Sequence, residues 1–152
     1  MKSSRRAIAL AACALLLGCD KLELGSAKPS FKGIDITGAE YARSLALTDQ
    51  DGKARTLEEF KGKVSVVFFG YTQCPDVCPA TLAELVQVKK SLGKDGERLQ
   101  GIFVTLDPKR DTREVIGAYA AHFHPRFVAL TGSESQVRKV ATSYKVFFEK
   151  VH

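Results

Sequence analysis

From Ala46 onward, short apolar runs alternate with stretches in which apolar residues recur every three or four positions. Ala46-Leu47-Thr48, followed by a turn over residues 49–53 containing Gly52, reads as a small hairpin. Thr56-Leu57-Glu58-Glu59 has the spacing of a capping box and predicts a brief helix that Gly62 can end. Residues 64–71, VSVVFFGY, are almost continuously apolar and rich in β-branched and aromatic side chains, the pattern of a strand buried on both faces. Residues 81–92 place Leu82, Leu85, Val86 and Leu92 on one helical stripe, with Gly93 behind it. Residues 101–106, GIFVTL, form a second buried strand. Asp111-Thr112-Arg113-Glu114 has capping-box form, with Asp111 as the N-cap. It opens a helix whose inner face carries Val115, Ile116, Tyr119, Ala120 and Phe123. Residues 127–130 read as a third strand. Ser133 to Gln136 cap a last helix carrying Val137, Val140 and Ala141, and residues 144–148 read as extended. This order predicts an α/β domain with a central, mainly parallel sheet flanked by helices. In such sheets ligands bind beyond the carboxyl ends of the strands. Cys74 and Asp107 both directly follow buried strands, so they are expected at the same end.

The N-terminus follows a different pattern. Residues 1–6 are basic, residues 7–17 are an apolar run of eleven, and Leu16-Leu17-Gly18-Cys19 follows. Eleven apolar residues are too few for a membrane-crossing helix, which needs about 20. A basic start and a short apolar core read as a secretory signal. The ending resembles a bacterial lipobox, so residues 1–18 are read as a lipoprotein signal peptide and Cys19 as the lipidated new N-terminus. The competing reading is an ordinary signal peptide with an incidental cysteine. Lipidation would anchor the chain stably, and Asp20 resembles an inner-membrane retention signal. Residues 19–30, with Gly25, Ser26, Lys28, Pro29 and Ser30, read as a tether. Residues 31–152 form the folded domain.

Length and composition then narrow the function. The 152 residues allow one domain, with 45% hydrophobic and 26% charged content ordinary for a globular protein. Of 23 Lys and Arg, three lie in the leader, which leaves 20 against 17 acids. No like-charge block and no basic stripe interleaved with aromatics is present, so nucleic acid is not an expected partner. Of four cysteines, Cys13 leaves with the leader and Cys19 takes the lipid. Cys74 and Cys78 remain, in an oxidising compartment.

Those two lie in Gly70-Tyr71-Thr72-Gln73-Cys74-Pro75-Asp76-Val77-Cys78-Pro79. Two thiols four apart, after a buried strand and before a helix, share one helical face and fall within disulfide range. A helix N-terminus lowers a thiol pKa, and Pro79 suits a first helical turn, which puts Cys78 at or near the cap. Two close thiolates suit Cu(I), and an added imidazole would accommodate Cu(II). A plain structural disulfide is the alternative, but so short a loop constrains the unfolded chain little. Structural zinc wants four ligands. Met1, the single methionine, leaves with the leader, which excludes a Met-based copper site. Asp76 reads as a solvated loop carboxylate, and His122 and His124 as a solvent-facing helix terminus.

With VVFFGYTQCPDVCP, FVTLDPKRDT and FVALTGS, the chain resembles the Sco/SenC family of copper-binding, thioredoxin-like proteins from about Tyr41 to Lys150. The resemblance implies a thioredoxin-like fold and delivery of copper, as Cu(I) or Cu(II), to the binuclear centre of cytochrome c oxidase, or reduction of thiols there. It also implies an inner-membrane anchor with the domain facing the periplasm. Residue by residue, Cys74 and Cys78 match the family's copper-ligating and redox-active pair. Asp107 matches an acidic residue near the metal, carried over as a neighbour of the ligands rather than a ligand; a strand-end cap is the equal alternative. The family's third ligand, a His in a Tyr-x-Val-Asp-His-type segment, has no match here. His152 lies past the last helix without that context. The family's C-terminal strands and helix are therefore expected to be missing, leaving a strand with unpaired backbone groups and a domain less stable and more aggregation-prone than a full-length relative. A periplasmic thiol-disulfide oxidoreductase acting on envelope thiol proteins is the main competing function. An inactive truncated relative is a third reading. A peroxiredoxin-like peroxidase fits the fold but not Pro-Asp-Val between paired thiols.

Overall fold

The computed structural model describes residues 32–149, so the leader, Cys19, the tether and His152 lie outside the described residues. The chain divides at Thr37/Gly38 into two units. Of the first, the described part is a short segment in which the Asp35 carboxylate accepts from the Thr37 backbone N–H at 2.9 Å and hydroxyl at 2.6 Å.

The second unit carries the fold. In chain order it has strands β1 (Ala46–Asp49), β2 (Ala54–Thr56) and β3 (Val64–Gly70), helix α1 (Val77–Ser91), strand β4 (Leu99–Thr105), helix α2 (Arg113–Phe123), strand β5 (Val128–Thr131) and helix α3 (Glu134–Ser143). The sheet order is β2-β1-β5-β4-β3, with β3, β4 and β5 parallel and the β1–β2 hairpin added antiparallel against β5. The expected parallel core is present. The turn of the hairpin is held by buried Asp49, whose carboxylate accepts from Asp51 N, Lys53 N and Arg55 Nε within 2.9 Å.

The pleat sorts the core into two layers. Ile102 and Val104 point to one face, where they meet Leu45, Leu47, Leu130 and the α3 residues Val137 and Val140. Phe103 points to the other, against Leu82 of α1 and Ile116 and Ala120 of α2. Helices therefore cover both faces, as parallel sheets require. All seven residues of β4 are buried. Phe103 is 1% exposed, and burying such a ring stabilises by about 1.5–3 kcal/mol.

Several expected details change. The first major helix starts at Val77, earlier than its apolar stripe, because Cys78 and Pro79 form its first turn. The cap of α2 is Thr112, whose hydroxyl accepts from Val115 N, while Asp111 is buried elsewhere. Val115 is 40% exposed and outside the core. Residues 144–148 form no strand; Lys145 turns the chain at φ 60°, and Tyr144 and Phe148 fold back onto the α3 layer.

The largest change concerns β3. Its continuous apolar run predicts burial on both faces, yet it is the edge of the sheet, and its residues before Gly70 are half-buried or exposed. Among the described residues no strand pairs with its outer side. No described helix is long and apolar enough to cross a membrane.

An edge of seven residues with no charge and no proline is a template for intermolecular pairing. Val64→Lys replaces a side chain that is 60% exposed. It is expected to slow aggregation, followed by light scattering at constant concentration, while changing stability by less than about 0.5 kcal/mol. Unchanged or faster aggregation would show that this edge is not the associating surface.

Candidate metal and redox site

The site starts where β3 and β4 end together. Gly70 is the register partner of Thr105, and Leu106 N donates to Gly70 O at 2.7 Å. Two loops leave this end of the sheet. One, residues 71–76, carries Cys74 and turns into α1; the other, residues 106–112, carries Asp107 and turns into α2. Cys74 and Asp107 thus lie at one end of the sheet, as their positions after buried strands predict.

Gly70 is required by packing. A Cβ there would sit 2.9 Å from Cys78 Sγ, 3.0 Å from Phe68 and 3.2 Å from Phe103. Any side chain at this position pushes the inner sulfur out of place.

The two thiols are not equivalent. Cys78, in the first turn of α1, is 5% exposed, whereas Cys74 in the loop is half-buried. The Cys74 sulfur accepts from the Cys78 backbone N–H at 3.4 Å, so it caps the open donors at the start of α1. Its hydrogen bond with the Cys78 thiol does most to hold the Cys74 pKa below the ordinary thiol value. Burial opposes it next, and the backbone N–H groups of Cys78 and Asp76 and the Tyr71 side chain add smaller lowering effects. Burial, and then the partner sulfur, push Cys78 the other way, up to about 11. The outer sulfur is therefore the first to ionise and the inner one keeps its proton.

Tyr119 of α2 reaches the same region, a contribution its place on a helical stripe does not reveal. Its ring packs against Phe103 and Phe123, at centroid distances of 5.3 and 5.2 Å. Its hydroxyl is buried with no hydrogen-bond partner among the described residues. Burial first, then charge on Cys78 and Cys74, push it up to about 12. A neutral phenol therefore stays beside the sulfurs across the physiological range.

Asp107 is 4% exposed. Its backbone N–H donates to Thr105 Oγ1 at 3.0 Å, and its carboxylate pairs with Arg110. Its carbonyl accepts from Arg110 N and Asp111 N at 3.1 and 2.9 Å, which closes the turn before α2. These contacts are those of a strand-end cap. Asp76 is exposed, as a solvated loop carboxylate should be.

The histidines within the described residues are at the other end of the sheet. His122 is exposed in the last turn of α2 and stacks edge-on against Phe123. His124 accepts from Arg126 N at 3.1 Å and stacks on Phe127, and burial, followed by nearby Lys89 and Arg126, lowers its pKa. Among the described residues no group of three Cys, His, Asp or Glu side chains converges as a metal site. The donor set is the two sulfurs, which suits a soft monovalent ion of low coordination number.

The model of the family described as SCO1/SenC matches residues 35–152. A SCO2-like protein of Rickettsia felis is 42% identical over 106 residues, covering 70% of this chain and 52% of that protein. The chain thus spans about half the length of this relative. Among solved structures, Bradyrhizobium japonicum ScoI with copper bound superposes with a TM-score of 0.67 at 44% identity, covering 72% of this chain and 69% of that one. Apo Sco1 from Thermus thermophilus gives a TM-score of 0.72 at 40% identity, covering 82% and 72%. These likenesses fix the fold as thioredoxin-like. Since the family match takes in both site loops and every strand of the sheet, the chain belongs to the SCO1/SenC family.

Proposed function

We propose that this chain carries copper as cargo on Cys74 and Cys78 and delivers it to the copper subunit of cytochrome c oxidase. The carrying observation is the sulfur pair at the start of α1, with one outer sulfur that ionises readily and one inner sulfur that does not. Thiolates are the form that binds metal, so Cys74 makes the first bond. Cys78 completes the site by losing its proton as the ion seats. An outer ligand that is only half-buried also leaves the cargo open to attack by a receiving thiolate, which is what transfer between proteins needs. Oxidase assembly as the destination rests on family membership and on the CPDVCP and DPKRDT motifs.

The same asymmetry favours a second reading, thiol-disulfide exchange with envelope proteins. Cys74 attacks a disulfide, and Cys78 then resolves the mixed disulfide. The two readings share the residues and differ in what the pair hands on. For both, the signal-like leader and the lipobox-like ending at Cys19 support an inner-membrane lipid anchor with the domain in the periplasm. An acylated Cys19 at the mature N-terminus, read by mass spectrometry, is the expected result; an unmodified Cys19 would remove the anchor.

Anaerobic Cu(I) titration of the reduced protein separates the two activities. Tight 1:1 binding is expected. Cys74→Ser and Cys78→Ser should each weaken it by more than about a hundredfold, beyond the roughly 10–100-fold lost with an outer-shell partner. Weak binding by the parent, together with fast exchange against a model dithiol, would select the oxidoreductase.

Alkylation with iodoacetamide tests the asymmetry itself. At pH 7 Cys74 should be modified first. Its rate should level off at a lower pH than that of an ordinary thiol, while Cys78 should stay slow until the pH approaches about 11. Equal rates at the two cysteines would refute the assignment of outer and inner roles.

A further inference from the structure

We infer that Asp111 is the positioning residue of the cysteine loop, a buried tie that fixes the Cys74–Cys78 geometry through Thr72. This rests on the pair being the functional site and adds what holds it in place. Asp111 is 1% exposed and forms no ion pair among the described residues. Its Oδ2 accepts from the Thr72 backbone N–H at 3.0 Å and from the Thr105 hydroxyl at 2.6 Å. Its Oδ1 accepts from the Thr72 hydroxyl at 2.6 Å. One carboxylate therefore spans three segments: the loop two residues before Cys74, the last residue of β4, and the turn into α2.

A buried carboxylate without a cation is costly unless its hydrogen bonds are complete, and here three donors converge on it. The loop gains the other side of that bargain. Thr72 is held at both its backbone and its side chain, so residues 71–76 leave the end of β3 in one direction. Without the tie, the loop explores more conformers and the sulfurs spend less time within bonding reach. The tie thus raises the effective concentration of one thiol at the other, which governs disulfide closure as well as capture of an ion.

Disulfide closure is the readout, because it needs no copper. Cys74 and Cys78 as thiols react with one glutathione disulfide. They form one S–S bond and give up two electrons and two protons, and two glutathione molecules leave. The equilibrium constant is measured on the full chain carrying Cys13→Ser and Cys19→Ser, by quenching in defined glutathione buffers and mass spectrometry.

Asp111→Ala is expected to lower that constant about tenfold, equivalent to about 30 mV for a two-electron couple. Asp111→Asn should stay within about threefold of the parent. Its amide oxygen can accept both bonds of Oδ2, and its NH2 can donate to a Thr72 hydroxyl turned the other way. Thr72→Ala should lower the constant in the same direction by about threefold, less than Asp111→Ala because the Thr72 backbone N–H still reaches Asp111, and Thr72→Ser should restore it.

An Asp111→Ala protein that melts cooperatively and keeps the parent constant overturns the tie. So does Asp111→Asn as impaired as Asp111→Ala, which would make charge rather than bonding the cause. If Asp111→Ala does not fold, Thr72→Ala against Thr72→Ser decides, and equal constants overturn the tie. A parent that closes no Cys74–Cys78 disulfide overturns the pair as a site, and the tie with it. A parent that closes it normally but binds no copper removes the cargo role and leaves the tie standing.

Discussion

The parallel pairing of β3 with β4 is the constraint on which the rest depends. It is the longest ladder in the sheet, seven residue pairs from Val64–Leu99 to Gly70–Thr105. Because the strands are parallel and in step, both loops leave the same end. Parallel strands also require crossover helices, and α1 is the crossover that carries Cys78. The start of a helix is thereby brought to the carboxyl edge of a sheet, where its free N–H groups face the loop sulfur. The site is a product of topology before it is a product of any single side chain.

Chemistry then comes from depth. Two identical residues four apart acquire different properties because one faces the core and the other faces the loop. The inner sulfur is buried, in space that the missing side chain of Gly70 leaves open. The outer sulfur sits on a loop, held by a turn, a few N–H groups, its bond with the inner thiol and the Asp111–Thr72 bonds behind it. Rigidity at one ligand and access at the other suit a group that must both hold and release. A pair buried to equal depth would do one of these poorly.

Much of this was legible in the sequence, for identifiable reasons. The buried strand β4 and the helix faces repeat their patterns strongly, and the cysteine motif sits at a strand-to-helix junction. The capping spacing at Ser133 opens α3, and that at Thr56 opens a single 3-10 turn over Leu57–Phe60. What stayed hidden depends on neighbours. The apolar run of β3 reads as central, because apolarity records the faces of a strand and not whether its edges are paired. Asp111 reads as a cap because Asp-Thr-Arg-Glu satisfies that spacing locally, while its partner Thr72 lies 39 residues away. Thr105 was a signal that could have been used, since a polar residue closing a wholly buried strand needs a buried partner. Tyr119 looks like one more core aromatic until the far end of its ring is placed.

The hairpin at the opposite side of the sheet has a consequence for the order of assembly. Its link to the rest of the sheet is Thr48–Thr131 and Asp49–Leu130, a short contact between segments near the two ends of the fold. Closing a loop of about 80 residues costs more entropy than closing the shorter crossover between β3 and β4, and distant pairings form slowly. The half of the sheet that carries the sulfurs can therefore take shape while the hairpin waits for β5. During that interval the chain already presents reactive thiols on an unfinished scaffold. Where an oxidant is present at that stage, closure of the pair can precede completion of the sheet, so timing as well as equilibrium bears on it.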